Sequence, residues 1–342
     1  MKCYDRFIKK SKSILSNKKI YRKLKKEVKS IKFYAEDYVK ISLPKTSGNR
    51  RITERNFLIT NGTMEAMDLI LFAKKKKKIG FMQPTFWGIK TAANRNSYEI
   101  IEEHFEENME YNAMKIDELA KKVDLVYLCN DNNPTLSYLD NKELYKLIKD
   151  NKNCSFIVDE TVLTFDLNYD NLTMINYITE LKNLNVIVSL SKILSIPGLR
   201  CGLIVSDENN IENYKINQTP YSTNIFIAKN INMFLNERNR IKKSKIKIKN
   251  NFIYLKKSLE KENFKKLINN VKYKYTGFML VELCDKVNYN DLIEFLNQNK
   301  IFLSTTNKYY GNLRHNYLRI SAGKKKEFRA LIKTLKKYLN KI

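Results

Sequence analysis

Residues that bind metals or form disulfides are scarce in this 342-residue chain, which has two histidines, His104 and His315, and five cysteines at positions 3, 129, 154, 201 and 284. No two cysteines form a CxxC pair and no histidine stands near one, so neither a zinc site nor a disulfide framework is expected, and reduced thiols suit the cytoplasm. Glycine (9), proline (5) and tryptophan (1) are also few, and no internal repeat or low-complexity linker is present. Long apolar runs are missing as well. The start, MKCYDRFIKKSK, lacks an apolar core of signal-peptide length, and no later segment approaches a membrane-spanning run. The expectation is a soluble cytoplasmic protein with no membrane partner.

Acidic residues are in the minority: 36 Asp and Glu stand against 64 Lys and Arg, a formal charge of +28. Such an excess raises the question of a nucleic-acid partner. Yet Lys, Asn and Ile are over-used along the whole chain, and basic runs such as AKKKKKIG (73–80) and RIKKSKIKIKNN (240–251) carry no interleaved aromatics to stack on bases. A chain-wide compositional bias with solvated basic faces accounts for the charge, and no nucleic-acid partner is expected.

The chain has a clear alternation of element types. Residues 12–32 read as a basic helix with Ile20, Leu24 and Val28 on one side. Strand patterns follow at 56–62, 78–84, 97–105, 123–130, 154–160 and 185–191, with helices predicted from Met64, near 141–150 and at 173–183. Short strands apolar on both sides, alternating with helices, predict a mostly parallel sheet covered on both faces. After about residue 215 the pattern becomes a lysine-rich helix (224–262), strand-like KYTGFMLVEL (274–283), the stretch 291–304, YLRISAG (317–323) and a final amphipathic helix. That is a small α+β unit behind a long connecting helix. The boundaries are read as an N-terminal arm at 1–38, a large domain at 39–220, and the connecting helix with the small domain at 221–342.

Ligands of open α/β sheets bind beyond the carboxyl ends of the strands. Four strands here end in chemically capable residues, in TNGT, CNDNNPT, VDE and SLSK. Singly, each has an ordinary structural explanation: a helix cap for Asp159, a turn for Asn133, a surface position for Lys192, an ion pair for Arg200. Together they suit one chemistry. A lysine can form a Schiff base with an aldehyde, a carboxylate can keep a pyridine nitrogen protonated, and hydroxyls, an arginine and helix-start N–H groups can anchor a phosphate.

At these residues the chain resembles the fold-type-I pyridoxal-phosphate enzymes of the class I/II aminotransferase family, within the group of histidinol-phosphate aminotransferase and threonine-phosphate decarboxylase. The resemblance runs from about Tyr34 to the C-terminus. It implies an α/β transferase fold of type I, with a mostly parallel central sheet, helices on both faces and a smaller C-terminal α+β domain, and pyridoxal 5′-phosphate as cofactor. SLSKILSIPGLRCG resembles the lysine motif, which makes Lys192 the cofactor lysine and proton carrier, with Ser189, Ser191 and Arg200 as phosphate ligands. In the same way VDE puts Asp159 on the pyridine nitrogen, CNDNNPT puts Asn133 at the ring hydroxyl, and PTFWG puts Phe86 on the ring face. TNGTMEA supplies backbone N–H groups of Thr63 and Met64 to the phosphate. Tyr34 resembles the tyrosine lent to a neighbouring subunit, which implies a homodimer with shared sites. Arg319 in YLRISAG resembles the substrate-carboxylate arginine, and Arg314 nearby is a candidate for a second anion.

The chain departs from the family pattern in four places. Val162 stands where many relatives carry a tyrosine three residues after the aspartate, Asp131 replaces a proline, Leu136 replaces a glycine, and the segment that covers the site has no clear counterpart before 15–23. The decarboxylase branch tends to lack that tyrosine. Together with TPYSTN (219–224) and YGNLRHNYLR (310–319), this leads to the expectation of a decarboxylase of phosphoserine or phosphothreonine that yields an amino-alcohol phosphate. The alternative is transamination of a phosphorylated amino compound, as in histidinol-phosphate aminotransferase.

Overall fold

The structure, a computed structural model, describes residues 52–75, 77–220, 222–224, 226–227, 238–305 and 316–341. The basic helix expected at 12–32, Tyr34 and Arg314 lie outside these residues. Strand β1 (Phe57–Thr60) leads to helix α1 (Thr63–Lys74), followed by β2 (Lys78–Gln83), α2 (Gly88–Arg95), β3 (Glu99–His104), α3 (Ala113–Lys122), β4 (Leu125–Cys129), α4 (Asn141–Asp150) and β5 (Ser155–Asp159). A loop containing the short α5 (Tyr169–Leu172) precedes β6 (Leu184–Val188), the single turn α6 (Leu190–Ile193), β7 (Gly202–Ser206) and α7 (Glu208–Asn217).

These strands form one sheet in the order β1-β7-β6-β5-β4-β2-β3, parallel except for β7, which runs against both of its neighbours. Alternate residues of each strand feed two cores. Val126, Leu128, Phe156, Val158, Val186 and Val188 pack toward Ile116 and Leu119 of α3 and Leu144 and Leu147 of α4. Leu125, Tyr127, Cys129, Ile157 and Ile187 pack toward Met67 and Ile70 of α1, Ile89 and Ala92 of α2, and Ile211 and Tyr214 of α7. Helices are placed by their own signals. Asn112 caps α3 through Met114 and Lys115 N–H, and Asp140 caps α4 through Lys142 N–H.

One expected helix is absent. At 173–183 the structure has a 3-10 turn, Met174–Tyr177. The buried carboxylate of Glu160 draws off the local donors, accepting from Met174 N at 2.6 Å, Thr173 Oγ1 at 2.6 Å and Tyr169 OH at 2.9 Å, so the backbone is pinned to the loop end of β5.

Beyond helix α8 (Arg238–Leu259), β8 (Ile268–Lys272), β9 (Phe278–Leu283), α9 (Tyr289–Gln298), β10 (Ser304–Thr305), β11 (Tyr317–Ser321) and α10 (Lys325–Leu339) build the second unit. Its antiparallel sheet has the order β10-β11-β9-β8. Met279, Val281, Leu318 and Ile320 turn one face to Phe252 and Leu255 of α8 and Phe328 and Leu331 of α10. The other face presents Phe278, Leu280 and Tyr317 to Met109, Leu136 and Val162 from the first unit. No helix among the described residues is long and apolar enough to cross a membrane.

Phe156 is fully buried at the centre of the large sheet. Phe156→Ala is expected to cost about 3–5 kcal/mol of unfolding free energy, measured by urea denaturation.

Candidate active site

Asp159 is the last residue of β5 and lies opposite Cys129 of β4 and Ile187 of β6. It shares the strand face of Ile157, so it looks toward α1 and α2. It is 2% exposed. Its Oδ1 accepts the Thr161 N–H at 2.9 Å and its Oδ2 accepts the Tyr127 hydroxyl at 3.0 Å. Burial pushes this carboxyl up, while Thr161 and Tyr127 pull it back toward the ionised form.

A cup forms at the start of α1. Gly62 caps the helix with φ 85 and offers no side chain to the first-turn N–H groups, so those of Thr63 and Met64 are left for an outside acceptor. The guanidinium of Arg200 lies directly on Gly62: a Cβ there would collide with Nη2 and come within 3.0 Å of Cζ. Gly202 closes the same cup, since a Cβ on it would fall 2.8 Å from Gly62 C and 2.9 Å from Thr63 N. Arg200 itself takes a left-handed backbone, φ 50, and donates to Pro197 O at 3.2 Å. Next to the cup, a Cβ on Gly88 would collide with the Phe86 ring and fall 2.7 Å from Met64 Sδ, so these two side chains sit together. Sequence separation gives no hint that Gly62, Met64, Phe86 and Arg200 are neighbours.

The lysine motif follows β6 directly. Ser189 is buried, while Lys192, on the single turn α6, is exposed. Ser191 serves its own loop: Oγ donates to Cys201 O at 3.1 Å and accepts from Cys201 N at 2.6 Å. Its one proton is thereby committed, which leaves Ser189 as the hydroxyl able to donate elsewhere.

The turn after β4 is a clamp. Asn130 exchanges bonds with Leu139 at 2.9 and 3.0 Å, and fully buried Asn132 donates to Pro84 O and Thr135 Oγ1 and accepts from Thr85 Oγ1 at 2.7 Å. This ties the turn carrying the half-buried Asn133 to the segment carrying Phe86. Leu136 takes φ 59 where a glycine would be unstrained, and its side chain is fully buried against the seam between the two sheets. Val162 lies in that same apolar cluster and offers no hydroxyl. Across the seam, Arg319 holds its guanidinium 4.0 Å over the Phe278 ring and donates to Ser321 Oγ at 3.3 Å.

The set fits pyridoxal phosphate. It combines helix-start donors with an arginine in a cup that no side chain could fill and a buried carboxylate with no cation paired to it among the described residues. The sequence reading missed Tyr127, Thr161 and Glu160. Tyr127 was detectable only through strand parity, two residues before Cys129.

Residues 27–335 match the family of class I and II aminotransferases. The chain belongs to that family. Its members work with pyridoxal 5′-phosphate, solved structures of this fold hold it, and this chain is a pyridoxal-phosphate enzyme. It is similar to a histidinol-phosphate aminotransferase of Buchnera aphidicola subsp. Schizaphis graminum, 28% identical over 295 residues covering 84% of this chain and 80% of the relative. The fold matches the histidinol-phosphate aminotransferase of Clostridium acetobutylicum with a TM-score of 0.77 at 21% identity, over 94% of this chain and 90% of the other. It also matches the L-threonine-O-3-phosphate decarboxylase of Porphyromonas gingivalis with a TM-score of 0.73 at 22% identity, over 90% and 89%.

Asp131, at the proline position of the family motif, is 4% exposed. Burial raises it from 3.8 to about 7, opposed by Lys274 and reinforced by Asp166 and Glu110. Because the folded pKa is raised, the folded state holds this proton more tightly than the unfolded chain does. Unfolding free energy should therefore be greatest below about pH 4 for this group and fall as pH rises through about 7, by up to about 4 kcal/mol. Asp131→Asn is expected to flatten that fall in urea titrations between pH 5 and 8.

Proposed function

We propose that this enzyme is an aminotransferase that exchanges the amino group of a phosphorylated amino compound, of the histidinol-phosphate kind, with an oxo-acid. What carries the reading is the run of relatives named histidinol-phosphate aminotransferase that align over most of the chain. They reverse the order expected from the sequence, in which decarboxylation came first.

When bound, pyridoxal phosphate supplies a ring that withdraws electrons and so stabilises negative charge at the substrate's α-carbon. On this reading Lys192 would hold the cofactor through its amine, and that amine would carry the proton to and from the substrate's α-carbon. Asp159 would keep the ring nitrogen protonated, Asn133 would bond the ring hydroxyl, and Phe86 would stack on the ring. Thr63 and Met64 N–H, Ser189 and Arg200 hold the phosphate, while Ser191 shapes the loop that presents Lys192 and Arg200. Arg319 takes the substrate's anion. A guanidinium suits both a phosphate and a carboxylate, which a reaction alternating between an amino phosphate and an amino acid requires. Arg314 is a candidate for a further anion contact. As the family resemblance implies, Tyr34 would complete the phosphate site from a neighbouring subunit of a homodimer, and the reduced thiols suit a cytoplasmic enzyme. The division into arm (1–38), cofactor domain (39–220) and small domain (221–342) belongs to the same proposal.

A second reading, decarboxylation of phosphoserine or phosphothreonine, is favoured by one observation, the apolar Val162 where many relatives have tyrosine. Product identity separates the two. With histidinol phosphate and 2-oxoglutarate, glutamate is expected in a one-to-one ratio with the ketone product. Carbon dioxide from phosphoserine or phosphothreonine, with no glutamate formed, would overturn transamination. In the same assay Lys192→Ala is expected to lose at least about 1000-fold in turnover, since it removes both the covalent anchor and the proton carrier. It should also lose the borohydride-reducible link to the cofactor.

A further inference from the structure

The buried aspartate at the end of β5 is held by a tyrosine from the middle of β4. Tyr127 is 1% exposed and pairs with Ile157, so it stands diagonally from Asp159 on the same face, a spacing an aromatic side chain can bridge. Its hydroxyl donates to Oδ2 at 3.0 Å while the Thr161 N–H donates to Oδ1 at 2.9 Å. Donors on both oxygens fix the rotation of the carboxylate. Among the described residues no lysine or arginine pairs with Asp159, so its charge is supported by donors without being cancelled. Burial, together with the charge of Asp159, pushes the phenol of Tyr127 well above its ordinary value, so it remains a neutral donor at any working pH.

We infer that Tyr127 is a positioning residue for the cofactor's ring, acting through Asp159: its hydroxyl holds Oδ2 and so aims the carboxylate that would meet the ring nitrogen. An arginine at 127 would neutralise the carboxylate's charge, and a phenylalanine would leave the carboxylate to drift toward its neutral form. The inference rests on the reading of Asp159 given above.

The test compares two ligands of the full-length apoenzyme, pyridoxal 5′-phosphate and its 1-deaza analogue, in which carbon replaces the ring nitrogen. Affinities are measured by fluorescence quenching, with no turnover involved. Tyr127→Phe keeps the shape of the core and should weaken binding of pyridoxal phosphate by about tenfold, the scale of one hydrogen bond to a charged group, while changing the analogue by less than about twofold. Asp159→Asn should abolish the preference between the two ligands. If Tyr127→Phe weakens both ligands equally, or leaves the preference intact while Asp159→Asn removes it, the inference about Tyr127 fails alone. If Asp159→Asn itself leaves the preference intact, the placement of the ring nitrogen is wrong and the inference falls with it. A 3-fluorotyrosine at 127 checks the point with the hydroxyl in place. Its fluorine resonance should move on binding pyridoxal phosphate and not on binding the analogue, and equal movement with both would overturn the inference.

Discussion

Burying the carboxylate of Asp159 is the constraint around which the rest of the site is arranged. A charge removed from water costs several kcal/mol unless donors replace the lost hydration. Here the replacement is partial. Thr161 and Tyr127 hold the carboxylate in place, yet burial still raises it, and no cation among the described residues compensates. Such a residue is tolerated where a cationic ligand completes it, and a protonated pyridine nitrogen is a ligand of that kind. The surrounding elements serve this residue. Parallel strands bring Cys129, Asp159 and Ile187 to one edge, and the strand parity that points Asp159 toward α1 and α2 also puts it on the side of the Arg200 cup and Phe86.

Much of this was legible in the sequence, and the reason is local. Strand patterns with polar ends could be read from alternation and turn residues alone, and the motif around Lys192 is continuous in the chain. What could not be read depends on pairing. Tyr127 reaches Asp159 only because β4 and β5 are in a particular register, and the neighbourhood of Gly62, Met64, Phe86 and Arg200 follows from strand order. Ser191 read as a phosphate ligand from its place in the motif, but its proton goes to the carbonyl of Cys201, ten residues away in the chain. The helix expected at 173–183 failed for a related reason. Glu160, fully buried and raised to about 7, gathers three donors from that segment, and tertiary hydrogen bonding overrides helical spacing.

Two of the departures from the family pattern, Leu136 and Val162, meet at the seam between the sheets. A leucine in the left-handed region costs about 1–2 kcal/mol at position 136, but burying its side chain against Phe278 and Val162 recovers a similar amount, about 1.5–3 kcal/mol. Leu136 therefore exchanges the freedom of a glycine for an apolar contact with the second unit. Asp131 adds a buried acid facing Lys274, Glu110 and Asp166, and Glu110 in turn forms ion pairs with Lys272 and Lys274.

That seam bears on the choice of reaction. On the proposed reading the large sheet holds the cofactor and Arg319 on the small sheet holds the substrate's anion, so the angle between the reacting bond and the ring is set by how the two sheets meet. Arg319 is itself braced by Phe278 and Ser321, and Phe278 packs with Met109, Leu136 and Val162. A residue such as Val162 can therefore influence which bond lies perpendicular to the ring in two ways, by withholding a hydroxyl and by filling the contact that positions Arg319. The identity of residue 162 alone does not decide between loss of a proton and loss of carbon dioxide. On the proposed reading that choice would be set by the apolar packing under Arg319, where the residues at 136 and 162 meet the small sheet.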